Sequence, residues 1–539
     1  MKKIIFLLLL NLLLFSCARV GAPNGGTRDS LAPRFLGSNI DTTRLNVSRT
    51  VKELRLDFDE YVMLKDFNKN FNVSPPIKKI KKVIPSNLAN KYVLIQWEDT
   101  LQANTTYNFN FGNAIVDNNE SNPLPYFNFA FSTGDKIDDL FVSGTVKDAM
   151  TLIKENQTAK DNKMVVGLYK AGENLDYKQK PDYITKVDEE NYFELNFLPK
   201  GEFVIIAFDD ENQNSVYDAG KEKVSFLKEK ITLDSTSVRG LKLKLYPSKK
   251  VVKYKESKAI NGGLLMTFEG NPETVEVKSL SEDLKDFKVT HAKRSDSVNI
   301  WFDAEKSNLG GTVSKQLKLS YFTPTISDTI SVSYKAVKDE FKLSNEAGNL
   351  IAPENNFVIN TSLPIENLNT SSWKLESDSI AQDFTAKISE KNPFKILVNS
   401  SFKPTKKYVL TIPKETVSSY YSSNDKSFQF QFEIDKPENY GSFTAVIKNK
   451  PTAKFWVELT NEKGEILYSQ FTNASEVSFK NLKPATYIAR IRVDNNGNGF
   501  WDEADFAQNI AAEDVYIFEK EINVRPLWEI KEDWELINH

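Results

Sequence analysis

One cysteine and two histidines occur in 539 residues, and this scarcity removes most common reaction centres. Cys17 has no partner for a disulfide, so the chain is not a stapled secreted fold. A Ser-His-Asp triad would have to draw on His291, which sits in a Lys/Arg/Ser-rich run without a nucleophile-elbow motif, or on His539. Zinc chemistry lacks both HExxH and CxxC, and no glycine-rich loop leads into a helix to cradle a phosphate. An excess of charge is also missing: 70 basic residues stand against 73 acidic ones, which gives no electrostatic case for nucleic acid. Paired carboxylates stay open, because so many acids make some close pair inevitable, and a carboxylate-based glycosidase is the enzymatic alternative that remains. Sustained 3.6-residue periodicity is absent, and beyond the N-terminus no apolar run is long enough for a membrane helix.

What is present begins at the N-terminus. Lys2 and Lys3 precede an apolar run from Ile4 to Phe15, a pattern of secretory signals and too short to span a bilayer. Leu14-Phe15-Ser16-Cys17 resembles a bacterial lipobox, which implies removal of residues 1–16 and a lipid (palmitate among its chains) on Cys17. Loss of Lys2 and Lys3 from the 70 basic residues leaves 68 against 73 acidic. Residues 17–29, with Gly21-Ala22-Pro23-Asn24-Gly25-Gly26, form a flexible tether. Surface-exported lipoproteins of the Bacteroidota often carry an acidic cluster after the cysteine. Ala18-Arg19-Val20-Gly21 has none, so the resemblance implies an outer-membrane, lipid-anchored, periplasm-facing protein.

The remaining chain alternates apolar and polar residues in runs of four to eight, as in Leu54 to Phe58, Tyr107 to Phe111 and Phe127 to Phe131, separated by Asn, Asp, Gly, Pro and Ser clusters. This predicts an all-β protein of tandem sandwiches. Residues 30–134 resemble an SbsA-type bacterial Ig-like domain through Leu56-Asp57-Phe58-Asp59-Glu60, Asn72-Val73-Ser74-Pro75-Pro76, Leu101 to Tyr107 and Phe129-Ala130-Phe131-Ser132-Thr133-Gly134. That family is defined by fold and brings no catalytic residues. Residues 138–247 resemble a transthyretin-like (carboxypeptidase regulatory-like) sandwich through Val142 to Val146, Val165 to Tyr169 and Leu198-Pro199-Lys200-Gly201.

A constant offset of 301 carries Val93, Ile95 and Trp97 onto Phe394, Ile396 and Val398, and Phe127, Phe129 and Phe131 onto Phe428, Phe430 and Phe432. An offset of 284 carries Leu198 and Phe203 onto Leu482 and Tyr487. The expected layout is therefore Ig-like at 30–134, transthyretin-like at 138–247, an additional β-sandwich at 248–347, a second Ig-like domain at 348–437 and a second transthyretin-like sandwich with a tail at 438–539, strung as a rod. Trp528 and Trp534 of that tail belong to a last strand or to a docking patch.

The second offset also superposes two loops. Asp210-Glu211-Asn212-Gln213-Asn214-Ser215-Val216-Tyr217-Asp218 and Asp494-Asn495-Asn496-Gly497-Asn498-Gly499-Phe500-Trp501-Asp502 both read Asp-x-Asn-x-Asn-small-x-aromatic-Asp. Side-chain oxygens at positions 1, 3, 5 and 9 resemble the start of an EF-hand-type Ca2+ loop. Position 12 holds Lys221 in one copy and Asp505 in the other, which predicts weak calcium binding, better at Asp494, Asn496, Asn498, Asp502 and Asp505 than at Asp210, Asn212, Asn214 and Asp218. The same spacing also suits a turn whose Asn and Asp bond their own backbone.

These features point to a non-catalytic, lipid-anchored structural or adaptor protein with envelope protein partners and outer-membrane lipid held through Cys17. A glycan-binding lipoprotein of a polysaccharide-uptake system is the alternative, with Tyr420, Tyr421 or Trp501 as stacking platforms.

Overall fold

Alternation along each strand sorts the residues between core and solvent. In Glu53–Leu64, Leu54, Leu56 and Phe58 are buried while Arg55 faces out, and in Asn90–Trp97 the buried set is Val93, Ile95 and Trp97. The computed structural model describes residues 29–152, 163–172, 175–337, 340–346 and 348–536, so the signal segment, Cys17, most of the tether and His539 lie outside the described residues. The chain is all-β: among the described residues, helix is limited to Phe67–Asn70 and the 3-10 turn Pro437–Asn439.

The strands pair into facing sheets around successive apolar cores. The first core is enclosed by a sheet ordered Phe35–Ser38, Glu53–Leu64, Asn90–Trp97, Ile80–Ile84, opposite a sheet of Asn72–Ser74, Thr106–Gly112 and Phe127–Ser132. Trp97, Phe109 and Phe131 stack through its centre at 5.5 and 5.8 Å. The fourth core repeats the order with Leu343–Asn345, Phe357–Thr361, Asn392–Ser400 and Phe384–Ser389, opposite Lys374–Ser377, Lys407–Ile412 and Phe428–Ile434. Even a corner is copied: the Gln102 N–H donates to Tyr107 Oη at 2.8 Å, and the Lys403 N–H to Tyr408 Oη at 2.9 Å.

The second and fifth units share another topology. Leu140–Asp148 lies between antiparallel Tyr192–Leu198 and parallel Val238–Leu245, and Gly441–Lys448 lies likewise between Glu476–Leu482 and parallel Glu529–Glu535. Their other sheets run Tyr183–Lys186, Met164–Lys170, Gly201–Asp209, Val224–Phe226 and Ile466–Thr472, Phe455–Thr460, Ala485–Val493, Val515–Val524. Between the two pairs sits a third unit, in which Lys253–Ile260, Gly263–Glu269, Ser297–Trp301 and Lys288–His291 face Glu276–Ser279, Lys315–Phe322 and Ser327–Tyr334. The tail resolves into a strand: Trp534 and Leu536 are buried in the fifth core, while Trp528 is 48% exposed beneath the Arg525 guanidinium.

The units do not form a simple rod. Ala504 and Phe506 of the fifth unit are buried in one cluster with Val165, Ile206, Phe208, Tyr217 and Phe226 of the second. Backbone bonds seal the contact, from the Ala504 N–H to Pro247 O at 3.1 Å and from the Lys249 N–H to Ala504 O at 2.8 Å. The last unit thus folds back onto the second, because the second unit's outer sheet face is apolar and must be covered.

Candidate functional site

Each oxygen-rich loop springs from the end of a central strand, Gly201–Asp209 or Ala485–Val493. Its first aspartate is buried and turns inward. Asp210 Oδ1 accepts the Asn214 N–H and Oδ2 the Ser215 N–H, both at 3.0 Å; Asp494 accepts Asn498 and Gly499 at 3.0 and 2.9 Å. Asn212 and Asn496 accept the N–H two residues on, at 3.0 Å in each copy, and their amides donate to Asp218 and Asp502 at 2.6 and 2.5 Å. The fourth and sixth positions are left-handed in both copies, Gly497 and Gly499 in one and Gln213 and Ser215 in the other. Only the second copy has glycine where that conformation carries no side-chain penalty.

The fixed position-12 template missed the acid that completes each loop. Glu222 stands where the first copy closes: Oε1 accepts the Glu211 N–H at 3.1 Å and Oε2 the Asp218 N–H at 2.9 Å. Glu513 does the same in the second copy, accepting Asn496 and Asp502 at 3.1 and 2.9 Å. Burial pushes the Glu222 carboxyl up to about 7, with Asp210 and Asp218 adding to the rise against the two N–H donors, and burial raises Glu513 too. Asp505 lies apart in the arm that reaches the second unit, its Oδ1 accepting the Gln508 N–H at 3.2 Å.

The donor set of two Asp, two Asn and one Glu per loop suits a hard cation by chemistry. Its oxygens, however, already accept the loop's own N–H groups. Among the described residues no group of three or more His, Cys, Asp or Glu is arranged to hold a metal ion. A cation would have to draw these carboxylates off their present donors. The copies also differ in charge. Arg294 of the third unit meets Asp502 Oδ1 at 2.7 Å and Glu273 at 2.6 Å, and its guanidinium lies 4.7 Å from the Phe500 ring centroid. Burial pushes Asp502 up, but the Asn496 and Asn498 amides and Arg294 outweigh it and hold the carboxyl below its usual range. The second loop therefore has a protein cation on its last aspartate.

Beyond the loop, residues 503–512 form an arm. The Phe506 ring sits 4.4 Å from Tyr177, 5.1 Å from Phe226 and 5.9 Å from Tyr217, and the Asn509 amide donates to Lys228 O at 3.2 Å.

The aromatic residues offered as sugar platforms are engaged elsewhere. Trp501 Nε1 donates to Glu513 O at 3.1 Å, and its ring lies 6.4 Å from Tyr246. Tyr420 lies beneath the Lys288 ammonium at 4.3 Å, and Tyr421 Oη donates to Asp286 at 3.3 Å, so both tie the fourth unit to the third. His291 Nε2 is 3.0 Å from the Ser295 carbonyl oxygen, in a turn rather than beside a nucleophile.

Residues 29–133 match a bacterial Ig-like domain family. No curated protein matches the chain. Solved structures with related architecture include surface-layer protein SbsC, domains 1–6, at 10% identity over 92% of this chain and 67% of that one, with a TM-score of 0.16. Another is the Bacteroides ovatus mixed-linkage glucan utilization locus protein SGBP-B, in complex with a mixed-linkage heptasaccharide, at 9% identity over 72% and 94% with a TM-score of 0.19. Likenesses of this size say nothing of ligand or partner. The chain is thus an all-β protein that carries a bacterial Ig-like domain over residues 29–133.

Proposed function

We propose that the chain is a non-catalytic, lipid-anchored envelope protein, held at the outer membrane through Cys17 and facing the periplasm, that acts as a structural or adaptor module for other envelope proteins. One observation supports this most. The groups that could have made a reactive or sugar-binding centre are turned to neighbouring units: the second loop, Tyr420 and Tyr421 bond to the third, and the Trp501 ring lies against Tyr246 of the second. Fixed orientation of several sandwiches is what a scaffold requires, and their open edges and faces are where partners would dock. A pull-down of the tagged lipoprotein from solubilised outer membrane is expected to recover specific envelope proteins, and recovery of none would remove the adaptor reading. Protease shaving of intact cells separates the alternative, since a surface glycan binder would be cleaved and a periplasmic adaptor spared.

Weak calcium at the first loop is part of the proposal, with Asp210, Asn212, Asn214, Asp218 and Glu222 as donors and an expected Kd on the order of 10⁻⁴ to 10⁻³ M. Calorimetric titration of the whole chain should show heat that is lost in Asp218→Ala and kept in Asp502→Ala. Absence of heat at millimolar calcium would leave the loops as turns alone.

A further inference from the structure

The strand Ile466–Thr472 is an open edge. It pairs with Phe455–Thr460 on one side, with a register shift at the Ile466 end, and among the described residues no other strand pairs with its backbone, although the Gln470 side-chain amide donates to Ser478 O at 2.7 Å. Such an edge presents a row of unpaired N–H and C=O groups, which proteins ordinarily blunt with charge, proline or shortness. Two other long edges of this chain follow that rule. Lys253–Ile260 carries Lys253, Lys255, Glu256 and Lys258, and Val515–Val524, at the opposite edge of the same sheet, carries Glu519, Lys520 and Glu521. By contrast, Ile466-Leu467-Tyr468-Ser469-Gln470-Phe471-Thr472 has no charge and no proline over seven residues. Ile466, Leu467 and Phe471 are 45%, 49% and 44% exposed.

The segment is also self-complementary. Folded antiparallel about Ser469, it places Leu467 of one copy opposite Phe471 of the other, Tyr468 opposite Gln470 and Ile466 opposite Thr472. The smallest side chain falls on the two-fold axis, where identical residues must meet. Beyond the strand, Glu465 meets Asn473 rather than another acid. Aliphatic–aromatic pairs on one face are favourable cross-strand partners, and no like charges oppose. Phe471 already stacks on Trp456 at 4.4 Å, so Leu467 of the second copy would extend an existing apolar row.

We propose that Ile466–Thr472 is a homodimerisation edge, where a second copy of this chain adds its own Ile466–Thr472 antiparallel to join the two four-stranded sheets into one. This rests on the open edge alone and stands whether or not the adaptor reading holds. One strand pair buries less than the roughly 800 Å² per partner of a standard interface, so association is weak and concentration-dependent.

The test uses the full chain with Cys17→Ser, which removes the native thiol. Under mild oxidation, Ser469→Cys is expected to form a disulfide-linked dimer, since the two residues face each other across the axis. Thr472→Cys is not, because its counterparts are offset by about 20 Å along the strands. Sedimentation velocity should show the dimer fraction rising over roughly 1 to 100 µM, and Phe471→Lys should weaken it about tenfold or more, because a charge then replaces the ring that faces Leu467 of the other copy. In the monomer that change removes only the half-exposed stack on Trp456, so unfolding should shift little compared with the loss of dimer. A Ser469→Cys chain that stays monomeric, equal linking by Thr472→Cys, or a dimer indifferent to Phe471→Lys would each overturn the proposal.

Discussion

Replacing Phe506 by alanine is expected to release the fifth unit from the second while leaving both folded. The ring is buried among Tyr177, Tyr217 and Phe226, yet it belongs to neither unit's own core. Truncating a buried phenylalanine costs about 3 to 5 kcal/mol. Contacts between units of one chain resemble transient interfaces, so a loss of this size is enough to free them. The arm's other bonds, from Ala504 to Pro247, from Lys249 to Ala504 and from Asn509 to Lys228, are hydrogen bonds worth about 1 kcal/mol each, and they depend on the arm staying in place. Solution scattering should report a larger radius of gyration, and limited proteolysis should open within residues 500–512. Phe518→Ala, in the fifth core itself, should unfold that unit instead. An unchanged scattering profile for Phe506→Ala would show that the clasp does not hold the units together.

Strands and repeats were legible because alternation is a local signal and a duplicated strand keeps its phase. Strand Gly201–Asp209 and strand Ala485–Val493 differ by the same 284 that aligns the loops. Closure of the loops was not legible, since it depends on what the chain does after the shared motif. Glu222 is the fourth residue after Asp218, but the arm is inserted between Asp502 and Glu513, eleven positions apart, so no fixed position could find both acids. The clasp had one sequence sign. Phe203-Val204-Ile205-Ile206-Ala207-Phe208 is apolar on both faces, which means a strand covered on both sides. Which segment covers it is a long-range fact, since Phe506 is one aromatic in a polar stretch and nothing local marks its destination. Likewise Tyr420, Tyr421 and Trp501 have the composition of exposed platforms, and only the folded structure shows them half-buried and bonded to Lys288, Asp286 and Glu513.

The duplicated sheet faces diverged in chemistry, and this sets the second large effect. Positions Gly167, Ile206 and Phe208 of the second unit correspond, through matching strand registers, to Glu458, Arg490 and Arg492 of the fifth. One face became apolar and receives the arm; the other became ionic. Glu458 is 1% exposed, with Arg490 Nε and Nη2 at 2.9 and 2.7 Å from Oε2 and Arg492 Nε at 3.1 Å from Oε1. Glu458→Gln leaves two guanidinium groups side by side without their counter-charge and is expected to destabilise the fifth unit by about 3 to 5 kcal/mol. Arg490→Ala should cost more than Arg492→Ala, because the Arg490 side chain is 8% exposed against 23% and water screens the latter pair. Replacing all three at once with the apolar pattern of the second unit, as Glu458→Ala, Arg490→Ile and Arg492→Phe, should be neutral or stabilising by comparison, since no buried charge is then left unpaired. Hydrogen exchange along Ala485–Val493 reads this unit without assuming that the whole chain unfolds in one step. A Glu458→Gln change within about 0.5 kcal/mol of the parent would mean that water reaches both arginines. If the triple replacement instead proves as damaging as the single one, the triad is needed for how it orients Trp456 and Trp501 under Arg492 rather than for its charge balance.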